Sequence, residues 1–276
     1  MPAIVTPFDA DGDLDLDAHR HNVEVLSGLG IEGFVIAGSN GEGAYVEAGE
    51  RGRLVEATRE AAPSAHVMGC VMGESVRQGT AQIAEVAAGG ADSILALTPT
   101  TLTRGRPHAV LEYFTRLADA SPLPVFLYSV PPNTAYSMPV ELVVEMAKHD
   151  NVVGMKDSSG DVVRLQAIVD ATPDDFLLYS GSSPAMTGAL VVGCYGVITG
   201  SVNYVPRLVM DVVQNAPDRD LQVQLTAVSR KVEAHGVPGV KAAAVAAGLK
   251  PGWPRLPLVP VGEQVAAELE EAASLE

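Results

Sequence analysis

The strongest constraint on the fold is an alternation. The apolar runs AIVT, GFVIAG, HVMGCV, SILALT, PVFLYSV, NVVGMK, FLLYSG and YGVIT follow one another along the chain, each trailed by roughly ten to twenty residues with helical spacing. Two of these helical stretches run from Asp15 to Leu29 and from about Glu47 to Ala62. The runs are near-continuous in their apolar character, which fits strands buried on both faces in a parallel sheet with helices outside it. Closing eight such strands on themselves leaves no edge unpaired, so the prediction is an α/β protein, a (β/α)8 TIM barrel. From about Asp218 the strand pattern stops. Three helical stretches, Leu221 to Ala234, Val240 to Leu249 and Glu263 to Ala273, predict a C-terminal three-helix extension. No linker separates it, so the expected organisation is one domain over 1–276, with the barrel over about 1–217 and the extension over about 218–276.

Charge narrows the function. With 18 basic and 34 acidic side chains in 276 residues, the net charge of −16 repels nucleic acid and anionic membrane, and any anionic ligand must be held by local donors. Cys70 and Cys194 are too few for a disulfide framework or a cysteine-rich zinc site, and a reducing, cytoplasmic setting is expected. The N-terminal residues lack a signal-peptide pattern and no apolar run reaches membrane-spanning length. The terminal pair Leu275 and Glu276 has the form of a vector remnant, and none of the expected functional residues lies there. The six histidines form no ligand motif such as H-E-x-x-H, so no metal is implied.

In such a barrel the chemistry sits at the C-terminal ends of the strands. Lys156 ends the run NVVGMK, whereas Lys148, Lys231 and Lys241 fall in helical stretches and Lys250 just beyond one. An amine held out of water is more readily uncharged and able to attack a carbonyl carbon; the bland alternative is a lysine that snorkels or pairs with an acid such as Asp157. Tyr128 ends PVFLY one strand earlier, which puts a phenol beside the amine as a proton carrier, the alternative being an ordinary core tyrosine. The stretch GSNGEG, Gly38 to Gly43, follows the second strand. Its glycines allow a tight loop whose amides converge on a carboxylate, although a plain turn would read the same. Its G-x-x-G-x-G spacing is not the dinucleotide fingerprint.

Taken in order, AIVTPF at Ala3, GSNGE at Gly38, YSVPPNT at Tyr128, GMKDSSGD at Gly154 and GVITGSVN at Gly196 resemble the dihydrodipicolinate synthase and N-acetylneuraminate lyase family, and the likeness extends to about Pro260 through VPGVKAAA and RLPLVPV. The resemblance implies that Lys156 forms a Schiff base with a 2-oxo acid, that Tyr128 relays protons, that Ser39 links to it, and that the Ser39 and Asn40 amides bind the carboxylate. Asn133, Ser158, Gly181 and Ile198, in or beside the same motifs and strand ends, complete the expected substrate-binding set. It further implies a homotetramer, a dimer of dimers, and no metal or organic cofactor.

Two departures bear on substrate. Asn133 stands where the dihydrodipicolinate synthases keep an arginine for the second substrate's carboxylate, and SNGE, YSVPPNT and VVGMKDSSGD look closer to 4-hydroxy-2-oxoglutarate aldolases. After the fourth strand the family usually has a tyrosine that completes a proton relay in the neighbouring subunit. Here TPTTLTRG has none, leaving water, a threonine hydroxyl or a phenol such as Tyr45. The expected chemistry is retro-aldol cleavage of a 4-hydroxy-2-oxo acid to pyruvate and an aldehyde such as glyoxylate. The iminium on Lys156 takes up the electrons of the C3–C4 bond. A dehydratase or a condensing synthase could use the same lysine. The rivals from other classes are a barrel that binds a 2-oxo acid without turnover and a nicotinamide-dependent oxidoreductase.

Overall fold

The computed structural model describes residues 1–274; Leu275 and Glu276, the pair read as a vector remnant, lie outside them. Among the described residues, seven parallel strands are hydrogen-bonded in chain order: β1 (Gly33–Ile36), β2 (His66–Val71), β3 (Ser93–Leu97), β4 (Val125–Ser129), β5 (Val152–Asp157), β6 (Leu177–Ser180) and β7 (Gly196–Val197). The helices around and between them are α1 (Leu16–Gly28), α2 (Glu50–Ala61), α3 (Val76–Ala88), α4 (Pro107–Ala120), α5 (Pro131–Thr134), α6 (Val140–Met146), α7 (Val162–Ala171), α8 (Met186–Val191) and α9 (Pro206–Gln214). The extension adds α10 (Arg219–Glu233), α11 (Gly236–Ala244) and α12 (Glu263–Ala273). The fold is the TIM-barrel-like one expected, with its C-terminal helical extension.

The first expected strand, AIVT, is the exception. It makes only single bridges, Pro2 to Thr199 and Ala3 to Val35, and is too short a ladder to count as a strand. Those bridges nevertheless join β1 to the end of β7 and close the ring: Ala3 N donates to Thr199 O at 3.1 Å and Val35 N to Pro2 O at 2.9 Å. The Asn203 amide reinforces the seam. Its Oδ1 accepts from Val5 N at 3.1 Å, and its Nδ2 donates to Ala3 O and Gly200 O at 3.0 and 2.9 Å.

Two apolar clusters follow from strand alternation. Val125 and Leu127 of β4 point outward against the helices, whereas Phe126 and Tyr128 point into the barrel with Val35, Met68, Leu95 and Ile198. Capping explains several boundaries. Asp15 accepts from Ala18 N at 2.9 Å and starts α1, and α2 begins at Glu50 rather than Glu47 because Gly49 enters it with φ of +84°. Lys148 falls two residues past the end of α6, not inside a helix.

One buried polar contact in this shell predicts acid sensitivity. His19 on α1 is wholly buried, its Nε2 2.8 Å from Thr58 Oγ1, while the Thr58 hydroxyl donates to Leu54 O. That arrangement makes Nε2–H the donor and leaves Nδ1 buried without a partner, so a second proton would create an unpaired buried charge. Burial accordingly lowers the His19 pKa from 6.5 to about 4. A folded-state pKa below the unfolded one means stability present above about pH 6.5 and lost as pH falls toward 4, by about 3 kcal/mol at most. Thermal melts across that window should slope accordingly, and a His19→Gln variant should flatten the slope.

Candidate active site

The site is assembled at the C-terminal ends of the strands. In the β4–β5 ladder Tyr128 is the direct partner of Lys156, and Phe126 of Gly154. A register shift lies just before, because Val125 pairs with Val152 and Val153 is the extra residue. Such a bulge resets which residues face inward. Gly154 is required there, since a Cβ would come within 2.5 Å of the Phe126 ring.

Lys156 is 3% exposed and Tyr128 2%. The Lys156 Nζ donates to the Tyr128 hydroxyl at 3.4 Å and stands 4.5 Å from the centre of its ring. No ion pair among the described residues involves Lys156. Asp157, the acid it might have paired with, points to the opposite face, where its Oδ2 accepts from Arg164 Nε at 2.9 Å. A buried amine beside a phenol and outside every ion pair is costly to maintain, and such cost is retained where chemistry needs it.

The phenol continues into the glycine-rich loop: Tyr128 Oη and Ser39 Oγ lie 3.1 Å apart. Within that loop Glu42 N bonds Ser39 O and Gly43 N bonds Gly38 O, but the Ser39 and Asn40 N–H groups find no acceptor among the described residues. Both residues are only partly buried, so these amides are open to an outside acceptor. Ala37 and Glu42, at either end of the loop, hold φ of +54°, a strained value for residues with a Cβ.

The other expected residues fall at varying distance. Gly181, just after β6, must lack a side chain: a Cβ would meet Lys156 Cε at 2.9 Å and collide with Ser158 Oγ. That contact brings Gly181, Ser158 and Lys156 together. Ile198 is fully buried and packs in the same inner cluster as Tyr128. Asn133 lies on α5 with its side chain exposed, and no contact ties it to Lys156.

The loop after β3 commits the hydroxyls of Thr98, Thr100 and Thr103 elsewhere. Thr98 Oγ1 donates to the Tyr128 backbone carbonyl at 2.8 Å, not to its phenol. Thr103 Oγ1 donates to Pro99 O at 2.6 Å, while the Thr100 and Thr101 amides are held by the Glu74 carboxylate. The Tyr45 phenol has no hydrogen bond among the described residues, its bonded groups being the backbone N–H and carbonyl. The chain of contacts from the amine is therefore Lys156, Tyr128, Ser39.

Sequence reading missed two polar clusters at this end of the barrel. Gly200 accommodates the Asn40 side chain, whose Nδ2 would come within 2.5 Å of a Cβ there. Glu233 of α10 accepts from Tyr204 Oη at 3.1 Å and Ser183 Oγ at 3.2 Å, and Ser183 in turn touches Ser201 at 3.0 Å. The Glu233 residue as a whole is exposed, yet its carboxyl is hemmed in and burial raises its pKa, partly opposed by the hydrogen bonds from Tyr204 and Ser183 and then by the field of Lys156. The only sequence signal was the density of hydroxyl residues in YSGSSP and TGSVNY. Among the described residues no group of three or more His, Cys, Asp or Glu is placed to hold a metal, and no helix is long and apolar enough to cross a membrane.

Known proteins share both sequence and fold. The profile of the Dihydrodipicolinate synthetase family matches residues 1–275. A Methanosarcina barkeri protein named 4-hydroxy-tetrahydrodipicolinate synthase is 32% identical over 290 residues, covering 100% of this chain and 98% of its own. The solved 4-hydroxy-tetrahydrodipicolinate synthase of Methylacidiphilum fumariolicum SolV superposes with a TM-score of 0.88 at 26% identity, over 99% of this chain and 93% of the other. A Thermus thermophilus protein, provisionally named a dihydrodipicolinate synthase, is 34% identical with a TM-score of 0.87, over 98% and 97%. With matches spanning essentially the whole of each partner, the chain belongs to the dihydrodipicolinate synthetase family of aldolase-type lyases.

Proposed function

We propose that this lyase acts on a 2-oxo acid through a Schiff base on Lys156 and cleaves a 4-hydroxy-2-oxo acid to pyruvate and an aldehyde such as glyoxylate. The observation that carries the reading is the Lys156 amine: 3% exposed, in no ion pair among the described residues, and 3.4 Å from a phenol that leads to Ser39. The carboxylate of the 2-oxo acid binds the open Ser39 and Asn40 amides, which supplies local donors in a protein of net charge −16. Lys156 then attacks C2, and Tyr128 passes protons to and from the carbinolamine oxygen as water leaves. The iminium accepts the electron pair of the breaking C3–C4 bond while the ionised Tyr128 phenol takes the 4-hydroxyl proton as the aldehyde forms; the phenol then returns that proton to C3 of the enamine, and water hydrolyses the resulting iminium to free pyruvate and the amine. Ser158, Gly181 and Ile198 shape the pocket around the lysine stem. No cofactor enters this scheme.

A second reading, a condensing synthase, is favoured by the name of the M. barkeri relative. Asn133 weighs against it, because a neutral amide offers no counter-charge to a second carboxylate. Incubation with 4-hydroxy-2-oxoglutarate, scored for pyruvate and glyoxylate, is set against incubation with pyruvate and a carboxylate-bearing aldehyde, scored for condensation. Release of both products only in the first supports the aldolase. Condensation alone transfers the assignment to the synthase, and loss of water without cleavage to a dehydratase.

The same reading takes residues 1–276 as one domain, working in the cytoplasm as a homotetramer built as a dimer of dimers. Exposed Leu102, Val163 and Val191 offer apolar surface for such contacts, and light scattering of the purified protein gives the assembly mass directly.

A further inference from the structure

We infer that Lys241, on α11 in the C-terminal extension, is a positioning residue that holds the carboxylate-binding loop in shape through Glu42. Glu42 lies three residues after Ser39 and between two glycines, and its own φ is +54°. Glycine would adopt that backbone without strain, so a residue with a Cβ at this place is retained for its side chain. That side chain is fully buried. Its Oε1 lies 2.6 Å from Lys241 Nζ, and its Oε2 accepts from Arg255 N at 2.7 Å.

Lys241 is 3% exposed and sits among groups that fix it from several sides. It donates to Trp253 O at 2.6 Å and lies 5.0 Å above the centre of the Phe8 ring, with the Arg255 guanidinium over the same ring at 4.0 Å. Arg255 continues the clamp along the loop, bonding Tyr45 O at 2.7 Å and Glu50 at 2.6 Å. Thr6 Oγ1 holds Gly41 O at 2.7 Å, and Arg51 donates to Gly43 O. Residues 41, 42, 43 and 45 are thus each fastened from outside the loop, whereas the Ser39 and Asn40 amides are not. The loop's shape is set by its far half.

Glu42–Lys241 is the one fully buried ion pair of this clamp. Removing the cation leaves a buried carboxylate held by the Arg255 backbone N–H alone, and the loop must move to rehydrate it. Lys241 does not touch the reacting atoms, so its loss acts on carboxylate capture and not on the amine. This rests on the proposal that the Ser39 and Asn40 amides hold the 2-oxo acid's carboxylate.

The test compares two carbonyl compounds, pyruvate and acetone, which differ in the carboxylate. Each is trapped on Lys156 with borohydride and the half-saturating concentration is measured by intact mass. In Lys241→Met the pyruvate value should rise by about tenfold or more, the scale of one well-placed anion contact, while the acetone value moves by less than about twofold. The Glu42→Gln/Lys241→Met pair, with no charge left to bury, should recover pyruvate capture to within about threefold. If Lys241→Met does not fold, Lys241→Arg, which keeps the cation but not its geometry, must show the same pyruvate-selective rise. Equal losses for both compounds, or none, with normal trapping in the unmodified protein overturn the positioning role alone. Failure of the unmodified protein to trap pyruvate overturns the Schiff-base proposal and this inference with it.

Discussion

Lys156→Met should form no adduct with pyruvate and borohydride, lose turnover by about 10⁴-fold or more, and melt at a higher temperature than the unmodified protein. The first two results follow from removing the nucleophile. The third separates a catalytic lysine from a structural one. Lys156 is 3% exposed and, among the described residues, has no ion-pair partner and makes a single hydrogen bond of 3.4 Å, so the folded state gains little from its amine and loses the solvation of a polar group. Methionine keeps most of the stem's volume and removes that cost, which is of the order of 1–3 kcal/mol in protein hosts. Differential scanning calorimetry reads the shift, and peptide mapping after reduction locates the adduct. A variant that is inactive and also markedly less stable would mean that the amine supports the barrel, and the enzymatic assignment of Lys156 would fall. Lys156→Arg sharpens the result: a guanidinium retains the charge but stays protonated and cannot attack, so it too should remain unmodified.

Lys156 and Tyr128 were legible because parallel strands are buried on both faces. Against a background such as NVVGMK or PVFLY a lysine or tyrosine at the last position stands out, and parallel pairing in chain order puts those two ends side by side. The same logic located β2 to its residue, His66–Val71. It failed on AIVT, where the apolar run reads as a strand although the barrel needs only two bridges and the Asn203 amide to close. The bulge at Val153 was invisible, because a one-residue shift leaves the run's composition unchanged. Long-range polar pairing was also out of reach. Glu42 looked like part of a turn and Lys241 like a helix-face lysine, and only the folded chain brings them to 2.6 Å. Glu233, Tyr204 and Ser183 come from separate elements in the same way, and no periodicity marks them as partners.

Tyr128→Phe should separate proton transfer from binding. The ring stays in the inner cluster with Phe126 and Ile198, and the lost hydroxyl leaves Lys156 and Ser39 without their shared partner but creates no cavity. The carbinolamine oxygen must then be protonated by water. Turnover should fall by about 10²- to 10³-fold, within the range that a positioned acid–base group contributes. Pyruvate should still bind at the open Ser39 and Asn40 amides with an affinity changed by less than about threefold, since neither amide belongs to the phenol. Borohydride trapping at a fixed time should slow in step with turnover. Ser39→Ala should cost less than Tyr128→Phe, because the phenol keeps its contact with the amine and loses only its onward link. The loop after β3 makes this comparison informative. With Thr98 turned to a backbone carbonyl and Thr103 to Pro99, no hydroxyl of that loop that has a bonded partner points to the Tyr128 phenol. If Ser39→Ala were as damaging as Tyr128→Phe, the proton would have to leave through Ser39. If Tyr128→Phe kept full turnover, water or substrate would be the acid and the phenol only a wall of the pocket.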